Sequence, residues 1–246
     1  MESDRAQPRA GSAARLLRPA RRLPRLLLRL ALRVAVVLLL AIAAGVALYR
    51  FIAPPVTPLM LLRAAEGEGM RHRWVAIEAV SPNLLRAVVA SEDARFCIHH
   101  GFDWVEIGHA LRALRAEHRL RGASTISQQT AKNLFLLPVR SYLRKLVEAY
   151  ATVLLELMWS KTRILETYLN IVEWGPGIFG AEAAAQASFH RHASELTRRQ
   201  AALLAAILPN PRRWSAARPS AHVEERARTI EARMAAVPLR GHEICP

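Results

Sequence analysis

The sequence predicts a mainly α fold, and three observations carry that reading. Apolar residues make up 52% of the 246 residues and aromatic ones only 6%, so the apolar mass is Ala, Leu, Val and Ile, which favours helices over sheets. Several stretches repeat apolar residues at the helical period, and no run of any length alternates as a strand would. Proline and glycine clusters such as "PPVTP", "GPG" and "PNP" fall between those stretches.

Residues 1–30 read as a basic tail. Residues 1–33 hold nine Arg against Glu2 and Asp4, so they supply +7 of the chain's formal +15. The apolar run "VAVVLLLAIAAGVALY" at 34–49 follows directly. With its flanks, residues 31–53, it is long enough to cross a bilayer core of roughly 30 Å, and Arg33 and Arg50 can snorkel to the headgroups. The Arg excess ahead of the span predicts a cytoplasmic N-terminus and a globular part outside the inner membrane. A cleaved signal peptide fits less well because the basic region is too long. A nucleic-acid partner for the Arg tract is not supported, since a membrane span follows it.

Residues 54–70 read as a linker and 71–240 as one globular domain. Ser81 and Pro82 open a helix through "NLLRAVVASEDARF", in which Leu85, Val88, Val89 and Glu92 share a face. Residues 104–118 form a short helix with Arg112, Arg115 and Arg119 outward. Apolar residues at 143, 146, 147, 150, 153, 154 and 157 give a clean helical period. "KTRILETYLNIVEW" is a further helix, with Glu166, Asn170 and Glu173 along one face as scaffolding. Thr197 and Gln200 form a capping box ahead of "AALLAAIL".

The stretch "SEDARFCIHHGFD" (91–103) concentrates groups that carry chemistry. Glu92 combines an apolar helix face with a helix C-terminus, and both raise a carboxylate pKa toward the range of a general base or acid. The bland alternative is a helix end already in solvent. Asp93 reads as an orienter, and "HHGFD" as a tight turn at Gly101. Cys97 has no marked base, and zinc-like spacing is lacking. Cys97 and Cys245 stand at opposite ends of the domain and read as two unrelated thiols.

The chain writes 32 Arg and three Lys, at 132, 145 and 161, so each Lys hints at a place that wants a compact charge. Lys161 is also explained by a helix start. Lys132 ends "GASTISQQTAKN" (122–133), whose Ser124, Thr125, Gln128, Gln129 and Asn133 suit a sugar and phosphate ligand better than a plain loop. Arg144 and Lys145 share a helix face with Glu148, which fits either a surface ion pair or a pyrophosphate site.

Together these stretches resemble the peptidoglycan glycosyltransferase family. "EDARFCIHHGFD" is similar to its E-D-x-x-F-x-x-H-x-G-x-D motif, and "GASTISQQTAKN" to G-x-S-T-I-x-Q-Q-x-x-K-N, with Ala123 where many members carry Gly. "RKLVE", "ILETYLNIVEWGPGIFGAEAAA" and "ALLAAILPNP" follow in family order. The resemblance implies a lysozyme-like, mainly α glycosyltransferase domain without a following transpeptidase domain. It implies Glu92 as general base, with Glu148 as a second catalytic carboxylate that orients cations or holds a divalent ion (Mg or Mn). No cofactor is otherwise required. It implies substrate binding by Lys132, Arg144 and Lys145 on pyrophosphate. Ser124, Thr125, Gln128, Gln129 and Asn133 would position sugar or phosphate, while Asp93 and His99 support Glu92. The implied partners are lipid II, the undecaprenyl-pyrophosphate-linked glycan strand, the membrane, and other cell-wall synthesis or division proteins. Basic residues at 112, 115, 119 and 121 would meet anionic headgroups. A lytic hydrolase and an inactive membrane scaffold are the alternatives.

Overall fold

The computed structural model describes residues 22–117, 122, 124–139 and 141–245. Arg119, Arg121 and Ala123, singled out above, lie outside that set. The chain divides into two units, 1–42 and 43–246. In the first unit, α1 (Arg22–Tyr49) begins. Its stretch Arg25–Tyr49 is long and apolar enough to cross a membrane. Leu26, Leu28, Leu30, Val37 and Leu40 expose their side chains, as a lipid-facing helix would.

The second unit opens with the end of α1, and its terminal carbonyls are satisfied by side chains, as helix ends require. Trp159 Nε1 donates to the Val46 carbonyl at 2.8 Å, and Arg163 Nη2 to that of Tyr49 at 2.7 Å. Tyr49 stacks on Phe135 with ring centroids 6.3 Å apart. The stretch read as a linker contains α2 (Pro58–Ala65), capped by Thr57, with Met60 fully buried.

Two helix groups build the core. In one, α9 (Arg198–Ile207) packs against α3 (Pro82–Glu92) and α10 (Ala221–Arg233). Ala201 to Ile207 are all buried, because alanines on every side let neighbours close around α9. In the other, α5 (Ile126–Phe135) packs against α6 (Tyr142–Met158) and α7 (Lys161–Ile171). α4 (Trp104–Glu117) follows the turn after α3, and α8 (Ala181–Phe189) follows α7. The expected caps are present: Ser81 with Pro82, and Thr197 with Gln200.

Three expectations change. Glu173 is not on the α7 face with Glu166 and Asn170. The helix stops at Ile171, and Glu173 starts β2 (Glu173–Gly175), where it accepts from Arg63 Nε at 3.2 Å. β2 pairs antiparallel with β3 (Ile178–Phe179), and β1 (Arg71–His72) lies parallel to β3. Strands this short leave no alternating pattern to read. Gly177 makes the turn at φ +63°, and a Cβ there would sit 2.3 Å from the Glu68 carbonyl oxygen.

The second change concerns α6. Its apolar period locates the helix but not the buried face. Leu143, Leu146 and Leu157 are exposed, while Glu148, Ala151, Thr152 and Leu155 face inward. The third concerns the cysteines, which are not unrelated thiols: Cys97 and Cys245 form a disulfide across 148 residues. A C-terminal hairpin of β4 (Leu239–Arg240) and β5 (Glu243–Ile244) brings Cys245 back to the turn after α3. Closing so long a loop contributes on the order of 3–5 kcal/mol by restricting the unfolded chain.

Asn170 ties α7 to the segment before α3. Fully buried, it accepts from Val75 N at 2.9 Å and donates to the Val75 carbonyl at 2.9 Å and the Glu166 carbonyl at 2.8 Å. Asn170→Ala leaves both Val75 groups unpaired and should destabilise the domain by roughly 2–4 kcal/mol, read as a lower urea midpoint with unchanged slope.

Candidate active site

α3 carries Glu92 as its last residue. Leu85 and Val88 are fully buried, which fixes the helix face and leaves Glu92 half-buried at its end. Ser91 Oγ donates to Glu92 Oε1 at 3.2 Å, and Gln129 Nε2 donates to Oε2 at 3.0 Å. Tyr168, fully buried in α7, donates its hydroxyl to Gln129 Oε1 at 3.3 Å. Burial pushes the Tyr168 hydroxyl well above its usual range, helped by the charges of Glu92 and Asp93, so it remains a donor. This fixes which end of the Gln129 amide faces Glu92.

Burial raises the Glu92 pKa above the usual carboxylate value, and the Asp93 charge adds to it. The bonds from Gln129 and Ser91 and the charge of Arg226 oppose this without cancelling it. The helix end acts in the same direction as burial.

The turn after Glu92 is fastened on several sides. Asp93 Oδ2 accepts from Ile126 N, at the start of α5, at 3.0 Å, and Oδ1 pairs with His99 Nε2 at 2.8 Å. Thr125 caps α5 in a capping box with Gln128 and donates from Oγ1 to the Gly101 carbonyl at 2.7 Å. Gly101 has φ +88°, and a Cβ there would meet Thr152 Cγ2 at 2.8 Å. Asp103 caps α4 through Val105 N (3.0 Å) and Glu106 N (3.1 Å) and faces Arg95 Nε at 2.9 Å. Burial would raise the Asp103 pKa, but the amide bonds and the Arg95 charge prevail and hold it below the usual value. Lys161 Nζ donates to the His99 carbonyl (2.7 Å) and to Glu156 (2.8 Å) and lies 4.5 Å from the centre of the Phe96 ring. Glu156 also accepts from Ser127.

The polar run 122–133 therefore divides. Ser124, Thr125 and Gln129 line a cavity of about 570 Å³ together with Glu92. Gln128 and Asn133 are buried and lie off its wall, Gln128 in the helix cap. Asp93 and His99 are buried in the turn, with Asp93 also reaching the cavity. In the second turn of α6, Glu148 is 3% exposed, with Oε2 bound by Arg144 at 2.7 Å and Oε1 by Lys145. Among the described residues none hydrogen-bonds the Lys132 ammonium. Burial lowers its pKa, with Arg144 and Lys145 adding to the effect and Glu148 and Glu92 opposing it.

Both Glu148 oxygens are committed to cations, so a divalent ion there would have to displace one. That donor set fits an orienter of Arg144 and Lys145, not a metal ligand. Asp93, His99 and Asp103 bring ligand atoms within 4.8 Å of one another. Their shared bond, the α5 amide and Arg95 already engage them.

Sequence reasoning missed Arg226 and Arg233, which line the cavity from α10. Their i, i+7 spacing puts them on one helix face, and that was the available signal. It also missed Tyr168 behind Gln129 and Glu156 beneath the turn.

A half-buried carboxylate of raised pKa on the wall of a cavity, with Arg226 and Arg233 on the same wall, defines a class of site, one suited to acid–base chemistry. The transglycosylase family profile matches residues 60–235. The chain is 54% identical over 224 residues to a biosynthetic peptidoglycan transglycosylase of Rhodospirillum centenum, covering 91% of this chain and 96% of that one. It is 49% identical over 221 residues to one of Caulobacter vibrioides (90% and 96%), and 52% over 200 residues to one of Aeromonas hydrophila subsp. hydrophila (80% and 85%). The chain belongs to the transglycosylase family.

Because folding raises the Glu92 pKa, its protonated form is the one the fold favours. That contribution is complete below the unfolded value of about 4.3 and is lost as pH rises through the folded value. Glu92→Gln should therefore raise the melting temperature near pH 8 and leave it unchanged near pH 4, as calorimetry would show.

Proposed function

We propose that this chain polymerises lipid II into glycan strands of peptidoglycan, with Glu92 as general base. The observation that supports this most is the Glu92 carboxylate itself: half-buried, raised in pKa and aimed by Gln129. Glu92 takes the proton of the acceptor GlcNAc 4-hydroxyl. That oxygen bonds to C1 of the donor MurNAc as the C1–O bond to lipid pyrophosphate breaks. Attack from the opposite face converts an α-linked donor into a β-1,4 linkage. Pyrophosphate is a weakly basic leaving group, so it needs positive charge more than a proton.

Lys132, Arg144 and Lys145 supply that charge, with Glu148 orienting the last two. The depressed pKa of Lys132 marks an ammonium that is poorly solvated and gains from meeting an anion. Arg226 and Arg233 offer a second cationic group on the cavity side of Glu92, suited to the anionic end of the acceptor. Ser124 and Thr125 present hydroxyls to a sugar in the same cavity, while Asp93 and His99 act through Glu92's surroundings.

The family membership and one apolar helix fit an enzyme anchored in a membrane by a single pass. The finer reading puts the Arg-rich N-terminus in the cytoplasm and the domain outside the inner membrane, where lipid II presents its sugar. The exposed apolar stripe of α6 would then rest among lipid tails. Other cell-wall synthesis or division proteins are the further partners of this reading.

The test is polymerisation of purified lipid II by the full chain. Glu92→Gln should lower turnover by roughly 10²–10⁴-fold, and Lys145→Ala by roughly tenfold or more. Activity should rise with pH through a limb displaced above the ordinary carboxylate range, because a base works deprotonated. A lytic enzyme using protonated Glu92 would show the opposite slope and would cleave finished glycan without a lipid-linked donor.

A further inference from the structure

The chemistry proposed above leaves Cys97 and Cys245 unused, yet their bridge ends inside the turn that serves Glu92. Cys97 lies between Asp93 and His99 in sequence. Every other fastening of that turn described above is non-covalent. Through Asp93 the turn holds Ile126 N, the first amide of α5. One turn further along α5 stands Gln129, whose amide grips Glu92. A displacement of the turn would therefore reach the carboxylate through two hydrogen bonds and one rigid helix.

Cys245 comes from the C-terminal hairpin, which lies along the α3 side of the domain. His242 Nε2 meets the Val80 carbonyl at 3.0 Å just before α3. Arg86, within α3, donates to the Leu239 carbonyl at 3.3 Å. Ile244 is 3% exposed. The bridge from Cys245 to Cys97 then makes the last contact, beyond the end of α3. The hairpin thus touches α3 before its start and within it, and touches the turn after its end. Cys245 also has φ +61°, a left-handed conformation costly for any residue with a Cβ. Without the covalent link, the hairpin end has reason to relax out of it.

We propose that the Cys97–Cys245 disulfide is a positioning device. It braces the Asp93–Asp103 turn against the C-terminal hairpin, so that Gln129 and Glu92 stay in register and full turnover needs the oxidised form. This rests on the polymerase reading above. Oxidation is a thiol–disulfide exchange: the two cysteine thiols lose two protons and two electrons to a small-molecule disulfide, which leaves as two thiols. Dithiothreitol reverses it, its own two thiols closing to a cyclic disulfide. A compartment outside the cytoplasm supplies such oxidants, and the cytoplasm does not.

Two measurements on the full chain in detergent test this. The first is amide hydrogen exchange of the peptide spanning α5, with and without dithiothreitol, under conditions where circular dichroism shows the protein folded. Reduction should speed exchange in the first turn of α5 by about tenfold or more while α9 is unaffected. The second is lipid II turnover. In reduced wild type and in the Cys97→Ser/Cys245→Ser variant, kcat should fall by roughly 10–100-fold with KM within about twofold. Glutathione disulfide should restore the wild type only, and dithiothreitol should leave the variant as it was. Unchanged exchange at α5 overturns the proposal, as does a folded, reduced protein with wild-type kcat. A loss of turnover that merely follows the unfolded fraction overturns it too. Should the oxidised wild type fail to polymerise lipid II, the polymerase reading falls, and the exchange at α5 still decides the role of the bridge.

Discussion

Asp93 accepts two hydrogen bonds, one from the backbone of Ile126 and one from the ring of His99. The first joins the end of α3 to the start of α5 across more than thirty residues of chain. α3 belongs to the group around α9, and α5 to the group with α6 and α7. Glu92 is the residue immediately before that joint. Its partners therefore come from both groups: Gln129 from α5, backed by Tyr168 from α7, and Ser91, which reaches toward the Ala205 carbonyl of α9 at 3.4 Å. If the joint shifted, a carboxylate aimed by both groups would be aimed by neither.

The same placement carries a cost in stability. At a helix end, half-buried and beside a second carboxylate, Glu92 is disfavoured in its charged form. The surrounding structure offsets this with features that do no chemistry. Asp103 is given amide donors and a guanidinium, Lys161 is enclosed by a carbonyl, Glu156 and the Phe96 ring, and Gly101 allows the turn to lie against Thr152. Much of the polar character of the motif stretches is spent on holding one carboxylate in place. That is why Gln128, which reads as a ligand-binding residue, is committed to the cap of α5.

The outer surface follows a different constraint. α6 turns Glu148, Ala151, Thr152 and Leu155 inward and leaves leucines outside, the reverse of a helix on a water-facing surface. Burying Glu148 allows its two oxygens to hold Arg144 and Lys145 side by side. One helix rotation thus fixes the cation cluster and exposes an apolar face, which suits a substrate with a charged head and a lipid tail.

Sequence alone determined what depends on neighbours a few residues apart. The mainly α character, the apolar span, the starts of α3 and α9 and the raised Glu92 at a helix end all follow from period, caps and helix polarity. The cations of α6 around Glu148 were equally legible, since three- and four-residue spacing makes them neighbours. What the tertiary structure decided involves partners far apart in the chain. No local pattern fixes the Cys97–Cys245 bridge, the pairing of Glu173 with Arg63, the approach of Arg226 and Arg233 to Glu92's cavity or the outward direction of the α6 stripe. Each depends on which face of one helix meets which face of another. That choice is made by packing the whole domain at once, and a periodic pattern reports a face without saying what it meets.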